Sequence, residues 1–179
     1  MEFLSLNIYI NILNLRIITM RKPRLLKKEA KYHVAAKINR GEHIFESDLI
    51  KNLFMNIVKR SKKKYKFSLE NFVIMKNHIH FIIKPEHNES LSRIMQWILS
   101  VFAIYYNKMH KLKGHTWQSR FWSKIIDDIK QFMDTFNYIS DNPVKAGMIR
   151  DAQDYRYGGL YYILKGIFDI VDRPDFNFI

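Results

Sequence analysis

The sequence predicts an α+β domain: a ferredoxin-like βαββαβ arrangement with one antiparallel sheet, helices packed on one face of it, and a further C-terminal helix. Three observations predict it. Short β-type stretches and longer stretches of helical spacing follow one another in the order strand, helix, strand, strand, helix, strand, helix. The length of 179 residues suits one domain of ordinary size and leaves no room for a second full one. Hydrophobic residues at 47% and aromatics at 15% supply ample material for a packed core.

The elements follow in order. Residues 21–31 are basic and contain Pro23, an arm that leads into the β-type run Lys31 to Ile38, ended by Asn39, Arg40 and Gly41. Ser47 or Asp48 can cap a helix in which Leu49, Ile50, Leu53, Phe54, Ile57 and Val58 recur at helical spacing before the run KRSKKKYK. From Phe67 to Met75 the chain is β-branched and aromatic; it breaks at Lys76 and Asn77 and resumes as His78 to Lys84, which reads as a hairpin. Ser90 to Lys111 carries Leu91, Ile94, Met95, Ile98, Phe102 and Tyr105 on one stripe, a second helix. Trp117 to Ile126 suits a fourth strand, with alternate aromatic residues pointing to opposite faces. Asp127 or Asp128 can cap a third helix running to about Asp141, where Asn142 and Pro143 end it. The stretch YRYGGLYY after Asp151 shows no regular pattern, and the second face of the sheet is expected to stay open.

Residues 1–19 form an apolar extension, and composition changes abruptly at Met20. Asn7, Asn11, Asn14 and Arg16 make the segment too polar for a secretory signal or a membrane span. It is expected to lie upstream of the true start at Met20 or to form a poorly attached extension, the rival reading being an amphipathic first helix. The domain then spans 20–162, with 163–179 as a C-terminal tail.

Thirty Lys and Arg against 17 Asp and Glu give a net charge of +13 and a pI near 9.8, so polyanions are the natural partners. An open sheet face in a positive field suits single-stranded nucleic acid, because bases stack on aromatics while cations follow the phosphates. The chain has no cysteine, which excludes disulfides, thiolate metal sites and a cysteine nucleophile. The candidate phosphate contacts are Arg21, Lys22 and Arg24 in the arm, Lys62, Lys63 and Lys64 in the second basic run, and Arg120.

His78 and His80 stand two apart on a predicted strand, so both imidazoles project from one face, close enough to share a divalent cation. Tyr138 and Asn142 lie four apart on the third helix and share a face. Of the other histidines, His33 is the one whose strand is expected to lie near the pair.

The segments IMKNHIHFIIKP, HTWQSRFWSK and FNYISDNPVKAGM, in this order and spacing, resemble the single-tyrosine transposases of the HUH class, and most of all the REP-associated tyrosine transposases and related small insertion-sequence transposases. The resemblance covers about Met20 to Tyr162, and the opening MRKPRLLKKEAKYHV is also similar to the usual start of such proteins. It implies that His78 and His80 bind a divalent cation, Mg²⁺ or Mn²⁺, that Asn142 is the third ligand, and that Tyr138 is the nucleophile. The chain departs from the pattern at Lys76, at Ser140 and Asp141, and at Tyr157, Gly158 and Gly159, positions that bear on which DNA hairpin is bound.

A phenol with a pKa of about 10 is a weak nucleophile at neutral pH, and a phosphodiester resists attack until its charge is offset, which a cation on two imidazoles and an amide would do. The expected activity is therefore cleavage and rejoining of single-stranded DNA through a 5′-phosphotyrosine, at hairpin-marked or REP-like elements, by a cytoplasmic, nucleoid-associated monomer or homodimer. Two rivals share the fold: a catalytically silent single-strand binder, and a metal-dependent nuclease in which water attacks and Tyr138 is structural.

Overall fold

The structure is a computed structural model and describes residues 27–176 and 178. The arm residues Arg21, Lys22 and Arg24, and the 1–19 extension, lie outside the described residues.

Four strands form one sheet: β1 (Lys31–Lys37), β2 (Phe67–Ile74), β3 (His78–Pro85) and β4 (Trp122–Ile126). Their order across the sheet is β2-β3-β1-β4, and every pairing is antiparallel. Helix α1 (Asp48–Lys64) joins β1 to β2, and α2 (Leu91–His110) joins β3 to β4, so the order is the expected βαββαβ. Helices α3 (Ile129–Lys145) and α4 (Gly159–Leu164) follow.

Period-two alternation divides the sheet residues between two faces. Val34 opposite Phe81, with Ile79, Ile83, Phe72 and Leu69, faces α1 and α2. There Phe45, Phe54, Phe102 and Trp117 pack ring against ring, and the Trp117 indole donates to the Leu99 carbonyl at 2.9 Å. The other face carries Lys31, His33, Ala35, Lys37, His78, His80 and Ile82 in matching register.

That second face is covered over part of its area, contrary to expectation. Helix α3 lies on it, and its residues Phe132, Ile139 and Ser140 are buried. The Asn71 amide on β2 donates to the Phe136 carbonyl at 3.2 Å and to the Ser140 hydroxyl at 3.1 Å. Lys31, paired with Glu70 and donating to the Asp175 carbonyl, lies 5.5 Å from the Phe132 ring. The apolar stripe of α3 needed a partner, and the sheet face opposite α1 and α2 was the surface still free.

Helix α3 also runs past its expected end, through Asn142 and Pro143 to Lys145. A proline in the last turn removes one helical hydrogen bond, which a helix with a buried face tolerates. Termination comes from Gly147, in the left-handed region at φ 64, with its N–H and that of Met148 bonded back to the carbonyls of Val144 and Pro143. Strand β4 starts later than expected, at Trp122; Trp117 only bridges Ile38, and Gln118–Phe121 loops over the second face.

The aromatic-glycine stretch and the tail both seal the outer edge of β2, a strand that would otherwise expose its ladder. Gly158 bridges Val73, Ile74 N donates to the Tyr157 carbonyl at 3.0 Å, and Asp172 N donates to the Leu69 carbonyl at 2.8 Å. Ile170 and Val171 are buried, so residues beyond 162 belong to the packed domain.

Candidate active site

The register brings the chemistry together. His33 opposes Ile82 and Ala35 opposes His80, so His33 and His80 are diagonal neighbours on one face. Their rings meet, with His33 Nε2 at 2.9 Å from His80 Nδ1 and centroids 5.1 Å apart. His78, one step along β3, has its centroid 5.1 Å from that of His80 and its Nδ1 2.8 Å from Oδ1 of Asn77.

Above them α3 presents Tyr138, its ring 5.5 Å from His80 and 5.9 Å from His33. Tyr138 is 45% exposed while His80 is only 7% exposed, so the phenol stands at the mouth and the imidazole at the base. Between them lies an open pocket of about 380 Å³ lined by His33, Ala35, His80, Trp122, Tyr138 and Arg120, among others. The small Ala35 side chain, opposite His80 on one side and Trp122 on the other, leaves the floor open.

Burial keeps the imidazoles neutral. His80 is held down to about 3, mainly by desolvation and then by His33, His78 and Lys37; His33 falls to about 4 through desolvation and Lys124; His78 is lowered by desolvation and Lys37. Neutral imidazole is the form that donates a lone pair to a metal.

Asn142 sits one turn beyond Tyr138, and its Nδ2 donates to the Tyr138 carbonyl at 2.7 Å, which leaves Oδ1 without a partner among the described residues. Among the described residues no three His, Cys, Asp or Glu side chains are placed to hold an ion together. A cation here therefore needs a third ligand of another kind, and an amide oxygen is one. The donor set fits: on both His78 and His80 it is Nδ1 that is engaged, and Nε2 has no partner among the described residues.

The expected phosphate contacts divide. Arg120 lines the pocket beside Lys37, exposed and without a carboxylate partner among the described residues. Lys62, Lys63 and Lys64 end α1, across the sheet from the histidines. Lys62 is paired with Asp172 and also donates to the Ile170 carbonyl, while the ammonium of Lys64 lies over Tyr65 and Trp97. The structure does not bring this run to the pocket. Of the aromatic residues near β4, Trp117 and Phe121 pack inward, and Trp122, 52% exposed, meets His33 edge-on at 5.2 Å.

Sequence reasoning passed over Lys37 and Asn77 as site residues. Alternation along β1 carried a signal for Lys37, which falls on the face of His33; Asn77 sits in a turn and carried none beyond its place before His78.

The site is thus a small antiparallel sheet bearing paired histidines beneath a helical tyrosine. The sequence profile of the transposases described as IS200-like matches residues 26–142, and the chain belongs to that family. It is 27% identical over 111 residues to the REP-associated tyrosine transposase of Escherichia coli (strain K12), covering 61% of this chain and 64% of that protein. A Haemophilus influenzae protein assigned to the same group is 25% identical over 124 residues, covering 64% and 70%. In fold, the chain is similar to a REP-associated tyrosine transposase solved bound to a REP hairpin, with a TM-score of 0.69 and 22% identity over 89% of this chain and 94% of that one. No helix among the described residues is long and apolar enough to cross a membrane.

Proposed function

We propose that this transposase cleaves single-stranded DNA with Tyr138 as nucleophile and rejoins it by the reverse step, using a divalent cation held by His78, His80 and Asn142. The observation that carries the reading is the meeting of Tyr138 with His80 over one open pocket, from elements far apart in sequence. The Tyr138 oxygen attacks the phosphorus as its proton is lost, the bond to the 3′ oxygen breaks, and that oxygen takes up a proton to leave as a hydroxyl. The 5′ phosphate stays on tyrosine, so bond energy is conserved, and a second 3′-hydroxyl can reverse the step without nucleotide hydrolysis. When bound, the cation offsets phosphate charge and polarises the phosphorus centre. Arg120 and Lys37 at the mouth attract the strand, and Trp122 offers an exposed face on which a base can stack. The pocket is open to a single strand, and by analogy with the relatives a folded hairpin or REP-like element marks the cleavage point. Such a substrate places the protein's action at the bacterial nucleoid.

Cleavage of end-labelled oligonucleotides, single-stranded, duplex and hairpin-flanked, with Mg²⁺ or Mn²⁺ and with EDTA, tests the reading. The expected result is metal-dependent cutting of single strands only. Cutting that persists in EDTA would remove the cation, and cutting of duplex alone would remove the substrate class.

A further inference from the structure

Asn77, in the turn between β2 and β3, has both ends of its side-chain amide engaged. Nδ2 donates to the Gly41 carbonyl at 3.2 Å, and Oδ1 lies 2.8 Å from His78 Nδ1. A carbonyl oxygen only accepts, so the amide must turn its N–H to Gly41 and its own oxygen to the imidazole. That oxygen also only accepts. In a neutral ring, Nδ1 of His78 therefore carries the proton and Nε2 keeps a free lone pair.

The backbone holds this arrangement. Ile38 N donates to the Asn77 carbonyl at 2.8 Å, tying the turn to the end of β1. Arg40 and Gly41 then adopt left-handed conformations, φ 54 and 69, and a Cβ on Gly41 would sit 3.9 Å from Asn77 Nδ2. A left-handed arginine is uncommon, and such strain gathers where function needs a fixed geometry.

At the neighbouring ring, His33 Nε2 faces His80 Nδ1 at 2.9 Å, and either nitrogen can carry the proton between them, so this contact leaves the His80 tautomer open. We propose that Asn77 is a positioning residue that holds His78 as the Nδ1–H tautomer, leaving its Nε2 as a nitrogen donor of the site. This rests on the reading of the pair as metal ligands. Metal-binding histidines commonly gain orientation and basicity from such a partner on the other ring nitrogen. Without one, a histidine side chain favours the Nε2–H form, which has no lone pair on that atom.

Long-range ¹H–¹⁵N correlation spectra of the metal-free, full-length protein with ¹⁵N-labelled histidine, recorded at pH 8, read the tautomers directly. The His78 ring should appear as Nδ1–H. In Asn77→Leu the His78 signals should move toward the Nε2–H form, and Mn²⁺ affinity, followed by electron paramagnetic resonance, should fall about 10- to 100-fold. Asn77→Asp, which retains an acceptor, should stay within about threefold of wild type. An Nε2–H tautomer at His78 in the wild type overturns the inference, and that measurement stands even if a variant fails to fold. So does an Asn77→Leu protein with unchanged tautomer and affinity. Wild type with the expected tautomer that binds no Mn²⁺ overturns instead the metal reading on which the inference rests.

Discussion

Gly159→Ala tests how the aromatic-glycine stretch supports the nucleophile helix. Gly159 opens α4 against the edge of β2, and a Cβ there would lie 2.5 Å from Asn71 Oδ1, 2.9 Å from Phe72 N and 3.1 Å from Asn71 Cα. Two of these atoms are backbone of a paired strand and cannot step aside alone. The glycine lacks a positive φ, so the clash is the effect under test. Overpacking of this kind costs about 1–3 kcal/mol. The side chain that must yield is Asn71, whose oxygen accepts from Phe72 N at 2.8 Å and whose amide holds Phe136 and Ser140, the residues bracketing Tyr138 on α3. Each bond lost adds about 1 kcal/mol, so the total is about 2–5 kcal/mol, or a fall of about 4–20 °C in Tm. Thermal and urea unfolding measure it, with Gly158→Ala as control, since its Cβ would lie 3.4 Å from the Tyr155 carbonyl oxygen, 3.5 Å from the Tyr155 ring and 3.7 Å from the Phe72 carbonyl oxygen, contacts that should cost less than about 1 kcal/mol. DNA cleavage, measured well below the new midpoint, should also slow. A Gly159→Ala protein as stable as wild type would refute the packing argument, and a destabilised one with full activity would refute the link to Tyr138.

Acidification should destabilise the fold, because His80 and His33 are held at about 3 and about 4, below the ordinary 6.5, and the unfolded chain binds more protons between those values. Stability is then full above pH 6.5 and falls as pH drops toward 4, His80 alone losing at most about 2 kcal/mol by pH 5; an unchanged urea midpoint between pH 7 and pH 5 would contradict this. Arg120→Ala should reduce the log-log salt slope of single-stranded DNA binding by about 0.7, the loss of one phosphate contact, whereas Lys62→Ala should leave it unchanged, because that charge is taken by Asp172. The reverse pattern in fluorescence anisotropy would move the DNA to the α1 side of the sheet.

Most of the fold was legible because its signals are local. Alternation and helical spacing located all four strands and the first three helices, and Asp128 does cap α3, accepting from Gln131 N at 2.8 Å. What escaped depends on contacts distant in sequence. Nothing near Asn142 and Pro143 announces that burial of Phe132, Ile139 and Pro143 carries α3 beyond a proline. The seal on β2 by Tyr157 and Asp172 is invisible in a tail without periodicity. At the site, the two-residue spacing of His78 and His80 and the four-residue spacing of Tyr138 and Asn142 each told of a shared face. Only the sheet register shows that His33, from β1, reaches His80, and only the turn at Gly41 gives Asn77 its orientation.

The central claim is that Tyr138 becomes joined to DNA. Incubation with a single-stranded oligonucleotide that the protein cleaves, quenching with denaturant, digestion and mass spectrometry of the adduct test it most directly. The expected result is a covalent 5′-phosphate on the peptide containing Tyr138, and no adduct and no cleavage from a Tyr138→Phe protein that still binds the strand. Full cleavage by Tyr138→Phe, or an adduct on another residue, would contradict it.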